Sequence, residues 1–287
     1  MSQPKNSSPV DEQTPLRRSR WRRFSPSMGW RAFWSEIVIV VLGVAIALAA
    51  NEAVEEWSWR NKVEDGEARL QGDITWAFLW AAEKYVSQPC VDAQLAALSR
   101  TVLDGGSNLS PAPLITNGLG MQYVVRMPNR PYRFPVWDAL LADGTANHFS
   151  PQRQAFMGRI SDDMMNSSRS EAEIRSLMGR LLIMRDPIAL DPVVRSNLLT
   201  DINQLRSLNA FEAVNAQQRM RRIADAGSAP TAANVELFIN ASGKNTPGSD
   251  YSGTVFFCKT QGLPLADWRD YRNITVNTQF PGASTGK

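Results

Sequence analysis

The chain has 287 residues, enough for one or two domains, and carries a formal net charge of +3 at pH 7. Residues 1–36 alone carry +4, which leaves the remainder at −1. The positive charge therefore belongs to an N-terminal tail that is not part of a folded nucleic-acid-binding domain, and we expect no nucleic-acid partner. The chain has one histidine and no C-x-x-C pair, so the sequence predicts no metal site. It also contains no glycine-rich phosphate-binding motif, and we expect no cofactor.

The most informative feature is the apolar run at residues 37–50. Tryptophan prefers the headgroup level of a bilayer, and four tryptophans bracket the run: Trp30, Trp34, Trp57 and Trp59. The 27 residue steps from Trp30 to Trp57 would span roughly 40 Å as a helix, which is close to the thickness of a bilayer with its headgroups. We therefore predict a transmembrane helix over residues 31–57, with the lipid bilayer as its partner.

The distribution of Lys and Arg predicts the orientation of this helix. Residues 1–36 contain seven of them, whereas residues 51–70 contain three against six acids. We expect a disordered basic tail, residues 1–30, in the cytoplasm and the C-terminal domain in the periplasm, with the helix in a bacterial inner membrane. In the alternative, a signal peptide is cleaved after the A-x-A triplet that ends at Ala49, and the product is secreted and soluble. The long basic region before the run and the helical pattern after it favour the anchor.

Small residues recur on one face of the predicted membrane helix, at Gly43, Ala47 and Ala50. Such a face lets two helices approach closely. It predicts packing against a second copy of the chain or against a partner membrane protein, with an ordinary lipid-facing glycine as the alternative.

The apolar stripe beyond the membrane run predicts that the helix continues to about residue 87 and ends at Pro89, because proline removes a helical hydrogen bond. A second short helix fits residues 91–103. Residues 104–135 then form an irregular loop rich in proline and glycine. The aromatic residues of the long helix, among them Trp76, Phe78 and Trp80, span more than one face. Either this loop covers them or they form a partner surface.

Two long helices follow, and each begins with a capping residue before a proline: Ser150-Pro151 and Asp191-Pro192. They extend to about residue 184 and to the region of Gly227, and a short helix fits residues 231–240. Because short connections favour antiparallel neighbours, residues 58–241 are predicted to form an antiparallel helical bundle. The fold class is therefore mainly α, with an irregular Pro/Gly-rich loop and a C-terminal tail.

Residues 242–287 are predicted to be irregular and packed on the bundle. This segment contains Cys258, and the other cysteine of the chain is Cys90. Both fall on the predicted periplasmic side, where an oxidising environment favours a disulfide. Two unrelated buried thiols are the alternative.

The stretch from Trp34 to Leu70 resembles a family of bacterial single-pass inner-membrane proteins without an assigned activity. The shared features are Glu36 at the start of the membrane helix, the G-V-x-I-A-L core at 43–48, Asn51-Glu52, and the W-x-W-R-x-K-V run at 57–63. A looser match lies at 137–144. The resemblance implies a membrane anchor with a helical exterior domain and no catalytic residues.

Candidates for chemistry are weak. His148 is the only histidine and lies in a loop, where local hydrogen bonding is the usual role. The acids Asp162, Asp163, Glu171 and Glu173 share a helix with arginines and read as a solvated face. We therefore predict a non-catalytic binding, scaffold or sensor-like module. The alternative is a membrane-tethered enzyme with a site in the region of residues 104–150.

Overall fold

The computed structural model describes residues 29–116, 120–241 and 253–273, and this part of the chain is mainly helical. The chain divides into two compact units, Met1–Trp57 and Ser58–Lys287. The predicted disordered tail lies outside the described residues, apart from its last two positions.

The described residues contain six α-helices, in chain order α1 Trp30–Asp104, α2 Pro135–Ala142, α3 Pro151–Leu181, α4 Pro192–Asp225, α5 Ala232–Ala241 and α6 Thr254–Thr260. Three 3₁₀ helices cover Thr145–His148, Leu182–Arg185 and Trp268–Arg272. Four strands of two residues each are β1 Asn108–Leu109, β2 Ile115–Thr116, β3 Gln122–Tyr123 and β4 Ile188–Ala189. Strand β1 pairs antiparallel with β4, and β2 pairs antiparallel with β3. The predicted irregular loop thus contains the β2–β3 ladder, and β1 pairs it with residues 188–189, between α3 and α4.

In the first unit, the apolar side chains of α1 are exposed, and none of its most apolar 18-residue window is buried within the chain. Among the described residues, α1 is the one helix long and apolar enough to cross a membrane. A signal sequence near an N-terminus has the same character. One long apolar N-terminal helix is therefore present, as predicted.

Helix α1 does not end at Pro89, so the prediction of a break at this residue is wrong. Two contacts satisfy carbonyl groups in the turn before the proline. The backbone N–H of Ala266 donates to the carbonyl oxygen of Val86 at 3.0 Å, and the hydroxyl of Ser87 donates to the carbonyl oxygen of Glu83 at 2.8 Å. Pro89 removes the N–H that would bond the carbonyl of Tyr85, and these two contacts stabilise the backbone on either side of that residue. The helix extends through the region predicted as a second helix.

The starts of α3 and α4 follow the predicted capping chemistry. The hydroxyl of Ser150 accepts a hydrogen bond from the backbone N–H of Arg153 at 3.2 Å. One carboxylate oxygen of Asp191 accepts from the backbone N–H groups of Val193 and Val194, both at 2.8 Å. Each cap satisfies N–H groups that the first helical turn leaves unpaired, and proline occupies the first position in both helices.

Side-chain contacts define how the second unit packs. Between α3 and α4 they run in opposite sequence order, because Arg180 pairs with Asp201 at 2.8 Å and Ser167 contacts Arg219 at 2.6 Å. Between α1 and α3 they run in the same order: Arg153 pairs with Glu67 at 2.5 Å, and Lys84 with Glu171 at 2.8 Å. These three helices enclose the interior of the unit.

The interior contains two apolar clusters. The first includes Leu70, Phe78, Ile160, Met164 and Met220. The second includes Leu95, Ile174, Leu177, Ile202 and Leu205. In every one of α1, α3 and α4, the residues between the two clusters include buried polar or charged side chains.

The C-terminal segment is more regular than predicted, because α6 occupies Thr254–Thr260 and a 3₁₀ helix covers Trp268–Arg272. The sulfur atoms of Cys90 and Cys258 lie 2.01 Å apart and form a disulfide. This bond holds α6 against α1, and Val255 of α6 is buried in the first apolar cluster. The rest of the predicted irregular segment, residues 242–252 and 274–287, lies outside the described residues.

Candidate functional site: a cleft over a buried polar layer

Five charged side chains are buried at mid-height in the second unit, and each is about 1% exposed. We call them the polar layer: Glu83, Lys84, Glu171, Glu212 and Arg219. Removing a charge from water is costly unless a partner compensates it, so the contacts of these groups decide whether the layer is tolerated.

Two ion pairs compensate most of this charge. The ammonium of Lys84 donates to Oε1 of Glu171 at 2.8 Å. The guanidinium of Arg130, which is partly exposed, makes two bonds to Glu83, with Nε at 2.6 Å from Oε2 and a terminal nitrogen at 3.0 Å from Oε1. Because this fork-to-fork geometry is charge-assisted and directional, it fixes the loop before α2 against α1.

Arg219 forms its hydrogen bonds with neutral groups and interacts electrostatically with the carboxylates of Asp163 and Glu212. One of its terminal nitrogens donates to the hydroxyl of Ser167 at 2.6 Å and to the carbonyl oxygen of Asp163 at 3.0 Å. Its guanidinium carbon lies 5.5 Å from the ring centre of Tyr132, within cation–π range. Burial lowers the pKa of Arg219, and burial raises the pKa of the Tyr132 phenol.

Glu171 is only partly satisfied. Its Oε1 accepts from Lys84, but its Oε2 is buried and accepts no hydrogen bond from the described residues. Burial raises the pKa of the Glu171 carboxyl, and the neighbouring Lys84 ammonium offsets this only in part. A buried oxygen without a donor is uncommon in folded proteins and marks a place where a further group would gain a hydrogen bond.

A cleft of about 330 Å³ opens over one edge of the polar layer. The loop residues 129–133 form one side, and Ser168, Glu171 and Arg175 of α3 form the other. Pockets for small ligands start at roughly this volume. The cleft is therefore large enough for a small molecule and is lined mainly by groups that form hydrogen bonds.

The lining of the cleft carries a positive excess. Of its charged side chains, Arg130 is paired with Glu83, and Glu171 is paired with Lys84. The guanidinium groups of Arg133 and Arg175 lie at the exposed rim. Arg175 also donates to the side-chain oxygen of Asn129 at a long 3.4 Å. Arg175 also interacts electrostatically with Glu171, and the lining as a whole carries three arginines against one glutamate.

The prediction that the acids of α3 form a solvated face is wrong for Glu171, which is buried. The sequence did contain a pattern that indicates the burial of Glu171. The buried positions of α3 include Met157, Ile160, Met164, Ser167, Glu171, Ile174 and Leu177 at steps of three and four. Ser167 and Glu171 fill the gap in the apolar stripe, so periodicity alone places them inside.

The sequence-predicted interface tryptophans fall in both units. Trp30, Trp34 and Trp57 are exposed. Trp59, in the second unit, stacks on the imidazole of His148 with ring centres 4.0 Å apart, and the ammonium of Lys62 lies 4.1 Å from its ring centre. The only histidine of the chain thus makes a ring contact on the surface. The cleft residues Asn129, Arg133 and Arg175 were not anticipated.

The small residues Gly43, Ala47 and Ala50 lie exposed on α1 in the first unit. A Cβ built at Gly43 has no atom within 4 Å in the single chain. The face is therefore open, and its packing against another helix stays a prediction.

The aromatic residues of α1 in the second unit are covered by several segments. Trp80 contacts Tyr132 of the loop, Phe78 contacts Tyr271 near the C-terminus, and Trp76 contacts Phe238 of α5. Trp76 nevertheless remains 49% exposed. The loop therefore supplies only part of the cover that the sequence led us to expect.

In the described residues, no group of three or more His, Cys, Asp or Glu side chains has the arrangement of a metal site. Comparison with protein-family models, curated proteins and solved structures gave no match. The resemblance to bacterial single-pass membrane proteins stays a prediction.

Proposed function

We propose that this protein is a membrane-anchored binding module with its helical domain outside the cytoplasm. In this proposal the first part of α1 spans a bacterial inner membrane with the N-terminus inside the cell. The second unit is then a periplasmic antiparallel helical bundle with a non-catalytic binding, scaffold or sensor-like role.

One observation carries the membrane and compartment part of the proposal. The chain has an unburied apolar helix, and it also has a disulfide between its two cysteines, Cys90 and Cys258. Exposed apolar surface of this extent is unfavourable in water, and stable disulfides form mainly in oxidising compartments. An anchor that delivers residues 58–287 to the periplasm accounts for both features.

The binding role is supported by the cleft over the polar layer. Its guanidinium, amide and hydroxyl groups hold ligands by hydrogen bonds and charge. The tethered-enzyme alternative places a site in residues 104–150, and the loop residues 129–133 do line the cleft. Catalysis would need a nucleophile or a general base oriented by a partner. His148, the one histidine, is instead stacked on Trp59.

Reporter fusions test the topology. A phosphatase that is active only in the periplasm is fused after Lys287, and a second fusion after Trp30 serves as the matched control. We expect activity from the first fusion and none from the second. Activity of a cytosolic reporter at Lys287 would contradict the proposal.

The mass of the intact purified protein separates the anchor from a secreted product. We expect a chain that retains residues 37–50 and fractionates with membranes. A mature chain that begins at Ala50 and is found in the soluble periplasmic fraction would favour the signal-peptide alternative.

A further inference from the structure

We propose that the cleft between residues 129–133 and α3 binds a small hydroxylated carboxylate, such as an acidic sugar. This inference rests on the proposed binding role and adds the chemical class of the ligand. Three properties of the cleft favour such a ligand: its charge, the unsatisfied oxygen of Glu171, and the polarity of its walls.

The charge of the cleft selects an anion. The pairs Arg130–Glu83 and Lys84–Glu171 are internally compensated, so the rim arginines Arg133 and Arg175 set the sign of the field. A guanidinium presents two parallel N–H groups that match the two oxygens of a carboxylate. A neutral sugar or a cation would leave this feature of the cleft unused.

The floor of the cleft selects a hydrogen-bond donor. Glu171 lines the cleft, its side chain is 2% exposed, and its Oε2 has no donor among the described residues. A ligand hydroxyl that reached this oxygen would supply the donor that the described residues do not. A ligand with both a carboxylate and hydroxyl groups satisfies the rim and the floor together, whereas a simple anion satisfies only the rim.

The walls are suited to a hydrophilic ligand. The amide of Asn129 and the hydroxyl of Ser168 both donate and accept hydrogen bonds, as sugar hydroxyls do. A volume of about 330 Å³ exceeds what an inorganic phosphate needs and accommodates a single sugar ring. The same chemistry is offered by a free sugar acid and by an acidic residue of a glycan chain.

Calorimetric titration of the full chain in detergent micelles tests the inference. The probes are glucuronate, glucose as the uncharged analogue, and acetate as the carboxylate without hydroxyls. We expect glucuronate to bind, with glucose and acetate each at least about tenfold weaker, because each lacks one of the two recognised groups. A uronate oligomer separates the two sources: binding of the monomer alone assigns a free acid, and binding of both assigns a glycan residue.

Variants locate the binding in the cleft. Arg133→Gln and Arg175→Gln are each expected to weaken glucuronate binding about tenfold, because each removes a charge-assisted hydrogen bond. Arg169→Gln is the matched control, since Arg169 is an exposed arginine of α3 that does not line the cleft. All three replace surface positions, and unchanged circular dichroism verifies their folding.

The inference is overturned if folded wild-type protein does not bind glucuronate, if acetate binds as well as glucuronate, or if the two rim variants bind as the control does. These results concern the ligand only. The reporter fusions and the intact mass decide the anchor and its orientation separately, so failure of the ligand class is distinguishable from failure of the topology.

Discussion

The ammonium of Lys84 lies 2.8 Å from a carboxylate oxygen of Glu171, and both side chains are almost fully excluded from solvent. The two residues belong to helices α1 and α3, 87 positions apart in the chain. Along α3, Glu171 lies between the two apolar clusters of the domain, and it lines the candidate cleft.

Breaking this pair is expected to destabilise the domain strongly. In Lys84→Met the Glu171 carboxylate would be left buried without its cation, which costs about 3–5 kcal/mol of unfolding free energy. Replacing both members with apolar residues, as in Lys84→Met with Glu171→Leu, should restore much of the loss. Denaturant unfolding followed by circular dichroism measures both effects.

The matched control is Arg185→Gln, which removes the exposed pair between Arg185 and Asp186. It should change the unfolding free energy by less than about 0.5 kcal/mol. Equal losses for Lys84→Met and the control would show that burial of the pair has no energetic consequence.

The raised pKa of Glu171 predicts the direction of a pH effect on stability. Between the unfolded pKa of about 4.3 and the raised folded pKa, the folded state binds more protons than the unfolded state. The contribution of Glu171 is therefore fully present below the unfolded pKa and is lost as pH rises through the folded pKa.

The measurement is the unfolding free energy of wild type minus that of Glu171→Gln, followed from about pH 4 to pH 8. The difference should fall as pH rises. Asp163, whose pKa is also raised by burial, titrates in both proteins and cancels. A difference that increases with pH would indicate that the Glu171 pKa is depressed.

The disulfide is expected to contribute substantially to stability. It links residues that are 168 positions apart, and closing so long a loop in the unfolded chain corresponds to about 5 kcal/mol as an upper estimate. Cys90→Ser, Cys258→Ser and the double variant should therefore lose similar amounts, and a reductant should lower only the wild-type denaturation midpoint.

Alkylation in intact cells provides an independent check of the compartment. Both thiols should be protected from a membrane-permeant reagent until a reductant is added. Reaction of Cys90 and Cys258 without reductant would contradict the oxidising location.

Two glycines of α1 offer a matched test of packing. A Cβ built at Gly72 meets nothing within 4 Å, whereas one built at Gly66 lies 3.1 Å from a Leu140 methyl group and 3.5 Å from the Phe149 ring. Gly72→Ala should raise the unfolding free energy by up to about 1 kcal/mol through helix propensity. Gly66→Ala should gain less or lose stability, because the side chains of α2 and its following loop must shift. Equal gains at the two positions would contradict the close packing.

The small face in the first unit predicts self-association of the membrane helix. Gly43→Ile should lower the signal of a membrane two-hybrid reporter, because a large side chain separates the helices. Val41→Ile is the control, since it changes an exposed apolar position on the opposite side of the helix from the small face. An unchanged signal in Gly43→Ile would remove the hypothesis of packing through this face.

Local chemistry in the sequence was enough to predict the main helices. Ser150-Pro151 and Asp191-Pro192 predicted where α3 and α4 begin, since capping depends on neighbours in the chain. Pro89 predicted a break that does not occur, and the helical turn before it accepts a hydrogen bond at Val86 from Ala266, far along the chain. Long-range partners of this kind are not visible in a local pattern.

The candidate site was less predictable for the same reason. Glu171 reads as a surface acid until Lys84, 87 residues earlier, is placed beside it. The cleft combines loop residues 129–133 with α3, and no motif links these segments in the sequence. The stripe of buried positions in α3 was the available signal, and it passes directly through Ser167 and Glu171.

The covalent link between Cys90 and Cys258 has a consequence for how the protein responds to proteases. A single cut at any peptide bond between these residues leaves both fragments attached to each other. The fragment that carries α1 would thus retain the remainder of the chain after nicking, and the two pieces would separate on a gel only when the sample is reduced.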